Sequence, residues 1–230
     1  MVEAALLELE GVVFDTRELR RLSVRDALVE HGLMVTLDIE AIDGWPTRHA
    51  VEASLARQRV PSDPVLVDLV TMRAERAFSS RLATSGAALC PGARQFIESA
   101  ASATRLAVVS RARRGDADTM LRLASLADAF TTVVTADDLI DGKPSGEGHR
   151  LAIERLSRRR TITARQSIAL EHGVAGIRAA RDAGIRCVAA GVLAAHVAME
   201  ADAYVPSLEG VTMRTIEDLI RAGEGEGLPQ

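Results

Sequence analysis

Downstream of Arg105 the chain alternates short apolar runs with amphipathic stretches, the pattern of a parallel sheet flanked by helices. The apolar runs predict strands over residues 106–110, 132–135, 168–171 and 187–190. Apolar positions at helical spacing predict helices near 116–127, 146–157 and 175–183, with Gly184 as the stop of the last. Upstream the pattern changes. Residues 16–88 hold long amphipathic segments, 19–31, 48–57 and 65–78, with no strand-like run between them, and read as a helical insertion. The Cys90-Pro91-Gly92 turn then marks the return to the alternating pattern, ahead of a helix over 93–101.

Two signals compete over residues 4–10. Alanine, leucine and glutamate favour a helix by intrinsic propensity. The Gly11-Val12-Val13-Phe14-Asp15 that follows reads as turn and strand chemistry, and the downstream sheet needs a central strand, so the segment is assigned to a strand. The expected architecture is α/β: a Rossmann-like parallel-sheet core from 1–15 and 89–230, with a helical cap domain inserted at 16–88. The glycine-rich tail after Arg221 is expected to fray.

A length of 230 residues suits one domain carrying a smaller inserted one. With 47% hydrophobic but only 3% aromatic residues, alanine, valine and leucine must fill the core. The net charge of -4 gives no electrostatic basis for nucleic acid or an anionic membrane as partner. The one basic run, Arg158 to Arg160, reads as a solvated helix end that complements the helix dipole, in preference to a phosphate-binding patch. Cys90 and Cys187 match no metal-ligand spacing and no disulfide framework, and read as reduced thiols. No leader pattern or membrane-spanning run is present, so a cytoplasmic protein is expected.

Four separated segments carry the chemistry. The first is Leu6-Leu7-Glu8-Leu9-Glu10-Gly11-Val12-Val13-Phe14-Asp15-Thr16; the second, Leu106-Ala107-Val108-Val109-Ser110; the third, Asp141-Gly142-Lys143-Pro144-Ser145; the fourth begins Ile168-Ala169-Leu170-Glu171-His172-Gly173 and runs on to Ala180. Together they resemble the haloacid dehalogenase superfamily, in its β-phosphoglucomutase and phosphoglycolate phosphatase branch. Gly44-Trp45-Pro46-Thr47-Arg48 is similar to a cap loop of that family. Glu8 and Glu10 stand where the family has two aspartates, and His172 stands where an acidic ligand is usual.

The resemblance implies a roster of roles. Glu8 would be the nucleophile and Glu10 the general acid and base. Ser110, Arg111 and Lys143 would hold phosphate, Arg48 would contact substrate from the cap, and Glu8, Glu10, Glu171 and His172 would surround Mg2+, or Mn2+ or another divalent metal. Alternation along a strand places residues i and i+2 on one side, so Glu8 and Glu10 are expected to reach one pocket at the strand's carboxyl end. Each residue also has a plain structural reading: Ser110 as a cap, Lys143 as a turn residue, His172 as a hydrogen-bonded histidine, Arg48 as an ion pair, Trp45 as packing.

Two functions follow. One is a divalent-metal-dependent phosphatase or phosphomutase for a small phosphorylated metabolite, acting as a monomer or homodimer. The alternative is a catalytically impaired relative that binds a phosphometabolite or a protein partner without turnover. Carbon–halogen hydrolysis is disfavoured, because the dehalogenases generally lack an acid two positions after the nucleophile.

Overall fold

The computed structural model describes residues 2–33, 46–158 and 160–225. Gly44 and Trp45 lie outside them. The chain divides into two compact units, Met1–Phe14 with Leu89–Gln230, and Asp15–Ala88. The chain crosses between them along β2 (Phe14–Asp15) and β3 (Ala88–Leu89), which pair with each other.

The first unit is built on a six-stranded sheet. Its strands are β1 (Ala4–Leu7), β4 (Arg105–Val109), β5 (Thr132–Val134), β6 (Ser167–Glu171), β7 (Arg186–Ala190) and β8 (Ala203–Val205), in the order β5-β4-β1-β6-β7-β8. Every pairing is parallel, with Leu6 opposite Ala107 on one side and Ala169 on the other. All four residues of β1 are buried, which is why the strand reads as a continuous apolar run and not an alternating one. Burial on both faces overrides the helical propensity of Ala-Ala-Leu-Leu. The strand is shorter than the 4–10 expected, ending at Leu7.

Helices cover the sheet. On one face, α6 (Glu147–Leu156) and α7 (Val174–Asp182) set Ala152, Leu156, Ile177 and Ala180 against Ala4, Leu6, Ala107 and Ala169. Small alanines on strand and helix let the layers approach closely, as the scarcity of aromatic residues requires. Helix α4 (Ala93–Ala101) packs on β4 through buried Phe96 and Ile97.

Helix α5 (Arg114–Leu123) stops short of the expected 127. Ser125 turns left-handed at φ 55°, and the Leu126 amide donates back to the Leu121 carbonyl at 2.9 Å, which buries Leu126. Among the elements that escaped the sequence pattern are the single-turn helix α8 (Ala195–Ala198), the three-residue β8 and α9 (Met213–Gly225). The last runs through Arg221, because Ile216 and Ile220 are buried and the helix docks on β7 and β8.

The second unit is helical: α1 (Arg17–Val29), α2 (Thr47–Arg57) and α3 (Pro64–Ser85). Asp63 caps α3 by accepting from the Val65 amide at 2.9 Å, with Pro64 in the first turn. Leu28, Val51, Leu55, Val67 and Val70 form this unit's own core. Among the described residues, no helix is long and apolar enough to cross a membrane.

Candidate active site

In an open parallel sheet, ligands bind beyond the carboxyl ends of the strands where the strand order reverses. Here the chain starts at β1, builds outward through β4 and β5, then returns to the other side of β1 with β6. The crevice is therefore set at the end of β1, flanked by the ends of β4 and β6. The residues at those three ends are Glu8, Ser110 and Glu171.

Lys143 joins them from the loop after β5. That loop is pinned at both ends. Asp138 accepts from Arg114 at 2.5 Å and from Arg155 at 2.8 Å, while Glu147 accepts from the Ile140 and Asp141 amides. Burial alone would raise the Asp138 carboxyl, but the bonds from Arg155 and Thr135 and the charge of Arg114 hold it down at about 2. From this anchor the Lys143 ammonium reaches the core. It donates to Glu8 Oε2, to Glu171 Oε2 at 2.6 Å and to the Val109 carbonyl at 3.0 Å. Lys143, Glu8 and Glu171 side chains are all nearly inaccessible to solvent.

A buried ammonium between two carboxylates leaves one negative charge in excess, and desolvation makes that charge costly. The two acids respond differently. Burial, with the negative charge of Glu171, pushes Glu8 up from its ordinary 4.5 to about 7, against the pull of Lys143 and Arg111. Burial also works to raise Glu171, but the Lys143 charge and a bond from His149 overcome it and hold that carboxyl at about 2. His149 makes the difference, since its Nε2 lies 2.9 Å from Glu171 Oε1. An ionised Glu171 can only accept, so Nε2 donates, and Glu8 is left as the member of the pair that takes up a proton.

Nothing in the sequence distinguished His149, a residue of α6 with zero exposure and an unpartnered Nδ1. Gly176 belongs to the fourth segment, and the structure gives its physical reason. A Cβ there would lie 1.9 Å from Glu171 Oε2, so the glycine in the first turn of α7 makes room for the carboxylate.

Ser110 is buried beside this network. Its amide donates to the Val134 carbonyl and its Oγ accepts from the Ala112 amide at 3.1 Å, which leaves the hydroxyl hydrogen to be donated. Arg111, half-buried, is close enough for its charge to act on Glu8.

The other candidates are placed differently. The strand expected to aim Glu8 and Glu10 together ends at Leu7 and a turn follows, in which the Glu10 backbone bridges to Phe14. His172 is packed between Gly11 and Gly191, where a Cβ on either would fall within 2.7 Å of its ring, and its Nδ1 donates to the Ala190 carbonyl at 2.8 Å. Arg48 belongs to the helical unit and is held there by Glu52 at 3.1 Å and by Asp68. Cys90 and Cys187 form no disulfide among the described residues.

A magnesium ion asks for a near-octahedral shell of oxygens. Of the four residues expected to surround it, Glu8 and Glu171 both turn an oxygen to the Lys143 ammonium. Among the described residues no three His, Cys, Asp or Glu side chains converge on one point.

Comparison with known proteins places this arrangement. The chain is 27% identical to the protein CbbY of Cereibacter sphaeroides over 197 residues, covering 82% of this chain and 84% of that protein. It is 26% identical to the phosphorylated carbohydrates phosphatase of Thermotoga maritima over 187 residues, 80% of this chain and 82% of the relative. Its fold superposes on β-phosphoglucomutase from Clostridium difficile with a TM-score of 0.78 at 17% identity, covering 98% of this chain and all of the other. The description "haloacid dehalogenase-like hydrolase" matches residues 6–190. A match that runs from β1 to the last residue of β7, and takes in Glu8, Ser110, Lys143 and Glu171, makes this chain a member of the haloacid dehalogenase-like hydrolase family.

Proposed function

We propose that the protein is a phosphatase for a small phosphorylated metabolite, with a sugar phosphate as the substrate class. The observation that carries this reading is the Glu8–Lys143–Glu171 cluster at the carboxyl edge of the sheet, next to Ser110. The substrate class comes from the Thermotoga relative, whose name specifies phosphorylated carbohydrates.

In this reading the Glu8 carboxylate attacks phosphorus and forms an acyl-phosphate while the alcohol departs. Glu10 protonates the leaving oxygen and then activates the water that cleaves the acyl-phosphate. Lys143 offsets the charge of the phosphoryl group, and Ser110 and Arg111 donate to its oxygens. Glu171 fixes the ammonium from the opposite side. The cap would exclude water and select substrate from the helical unit.

A panel of sugar phosphates, assayed with Mg2+, with Mn2+ and with chelator, tests this reading. Turnover that disappears in Glu8→Ala is expected. Activity that survives Glu8→Ala would show a different nucleophile.

The alternative, binding without turnover, gains from one observation: the Glu8 carboxyl is already engaged by Lys143 and is held near 7. It predicts no turnover by the natural chain and a gain of turnover on restoring aspartate at Glu8, Glu10 and His172. Ordinary enzymatic rates in the natural chain would dismiss it.

A further inference from the structure

A second charged concavity lies at the other edge of the same sheet. Arg105, Thr131, Thr132, Arg155, Leu156 and Arg158 line a cavity of about 670 Å³. Arg105 opens β4, Thr132 opens β5, and Arg155 and Leu156 end α6. These are the amino ends of the strands, whereas Ser110 and Lys143 serve the carboxyl ends. Four residue steps separate Arg105 from Val109, which at the rise of a strand is about 13 Å. The two sites are distinct.

We propose that this cavity is a binding site for a small molecule carrying phosphate. The lining holds three guanidinium groups and no carboxylate. Two of them are fixed in place. Arg105 donates from one Nη to the Leu156 carbonyl at 2.6 Å, and Arg155 donates to the Val133 carbonyl at 3.1 Å and to Asp138 at 2.8 Å. These bonds use only part of the five N–H donors each guanidinium carries, so both planes are held while keeping donors to spare. The third, Arg158, is exposed and has no ion-pair partner among the described residues.

The hydroxyls of Thr131 and Thr132 add donors of the kind that bind phosphate oxygens. Asp138, on the far side of Arg155, is shared with Arg114 and leaves the lining net positive. The volume is in the range of metabolite pockets and leaves room for a ligand with a body beyond its anionic end. Arginine is suited to such a ligand because its planar fork meets two phosphate oxygens at once. The first residue of the basic run after α6 lines this cavity.

The probe is pyrophosphate, titrated into the full chain and followed by amide chemical shifts and by calorimetry. Shifts that saturate at Thr131, Thr132 and Arg158 are expected. Affinity should fall at least about tenfold in Arg158→Glu, a substitution at an exposed residue with no ion pair to lose among the described residues. Arg105→Ala should weaken binding too, with circular dichroism confirming the fold. Shifts confined to the surroundings of Ser110 and Lys143, equal affinity in wild type and Arg158→Glu, or no binding at about 10 mM pyrophosphate, a concentration corresponding to only a few kcal/mol of affinity, would each overturn the proposal.

Discussion

Between pH 5 and pH 8 the folded chain should lose about 2.5 kcal/mol of stability through Glu8 alone. The folded state raises this carboxyl from 4.5 to about 7. A raised acid binds a proton in the folded state that the unfolded chain has released, so its contribution is fully present below 4.5 and is lost as pH rises through 7. At pH 5 the folded form is almost wholly protonated and the unfolded form mostly ionised; at pH 8 both are ionised. Glu171 does not interfere, because it is held at about 2 and is ionised in both states through most of that window.

The perturbation is Glu8→Gln, which keeps the shape of the protonated side chain and cannot ionise. Urea unfolding at pH 5, 6, 7 and 8 should show wild-type stability falling relative to the variant by that amount, with most of the fall between 5 and 7. Parallel curves for the two proteins across the whole range would refute the claim that Glu8 holds a proton in the buried cluster. If Glu8 is also the nucleophile, kcat/KM should rise with pH through the same value.

Three further outcomes follow from the same cluster. Lys143→Met removes the cation between Glu8 and Glu171 and should cost about 3–5 kcal/mol at neutral pH, read by urea unfolding, with part of the loss recovered at pH 5 as Glu8 takes up its proton. Gly176→Ala puts a methyl group where the Glu171 carboxylate lies and should cost about 1–3 kcal/mol, together with most of any phosphatase activity; Gly173→Ala, which has open space, is the control. His149→Phe deletes the donor that holds Glu171 low, so the acid limb of the unfolding profile should move to higher pH, and an unchanged limb would remove His149 from the network.

The sequence by itself determined the parallel α/β core, because strands buried on both faces must be continuously apolar and their boundaries then show within a residue or so, as at Ser167–Glu171 and Arg186–Ala190. It also determined which end of the sheet would carry polar residues, since Glu8, Ser110 and Glu171 each follow or close an apolar run. It did not determine where β1 stops: Leu9 is as apolar as Leu7, yet the chain turns between them. Nor could it show what each side chain meets. His149 lies outside any local pattern, and its importance comes from Glu171, 22 residues away; Gly176 stands in the fourth motif, but only the structure shows that a Cβ there would meet the Glu171 carboxylate. His172 stands in a motif position, but the close approach of Gly11 and Gly191 makes it a packed residue. Periodicity is a property of neighbours along the chain, and so it survives in the sequence; the ionisation of a buried acid depends on which charges folding brings within a few ångströms, and only the tertiary structure decides that.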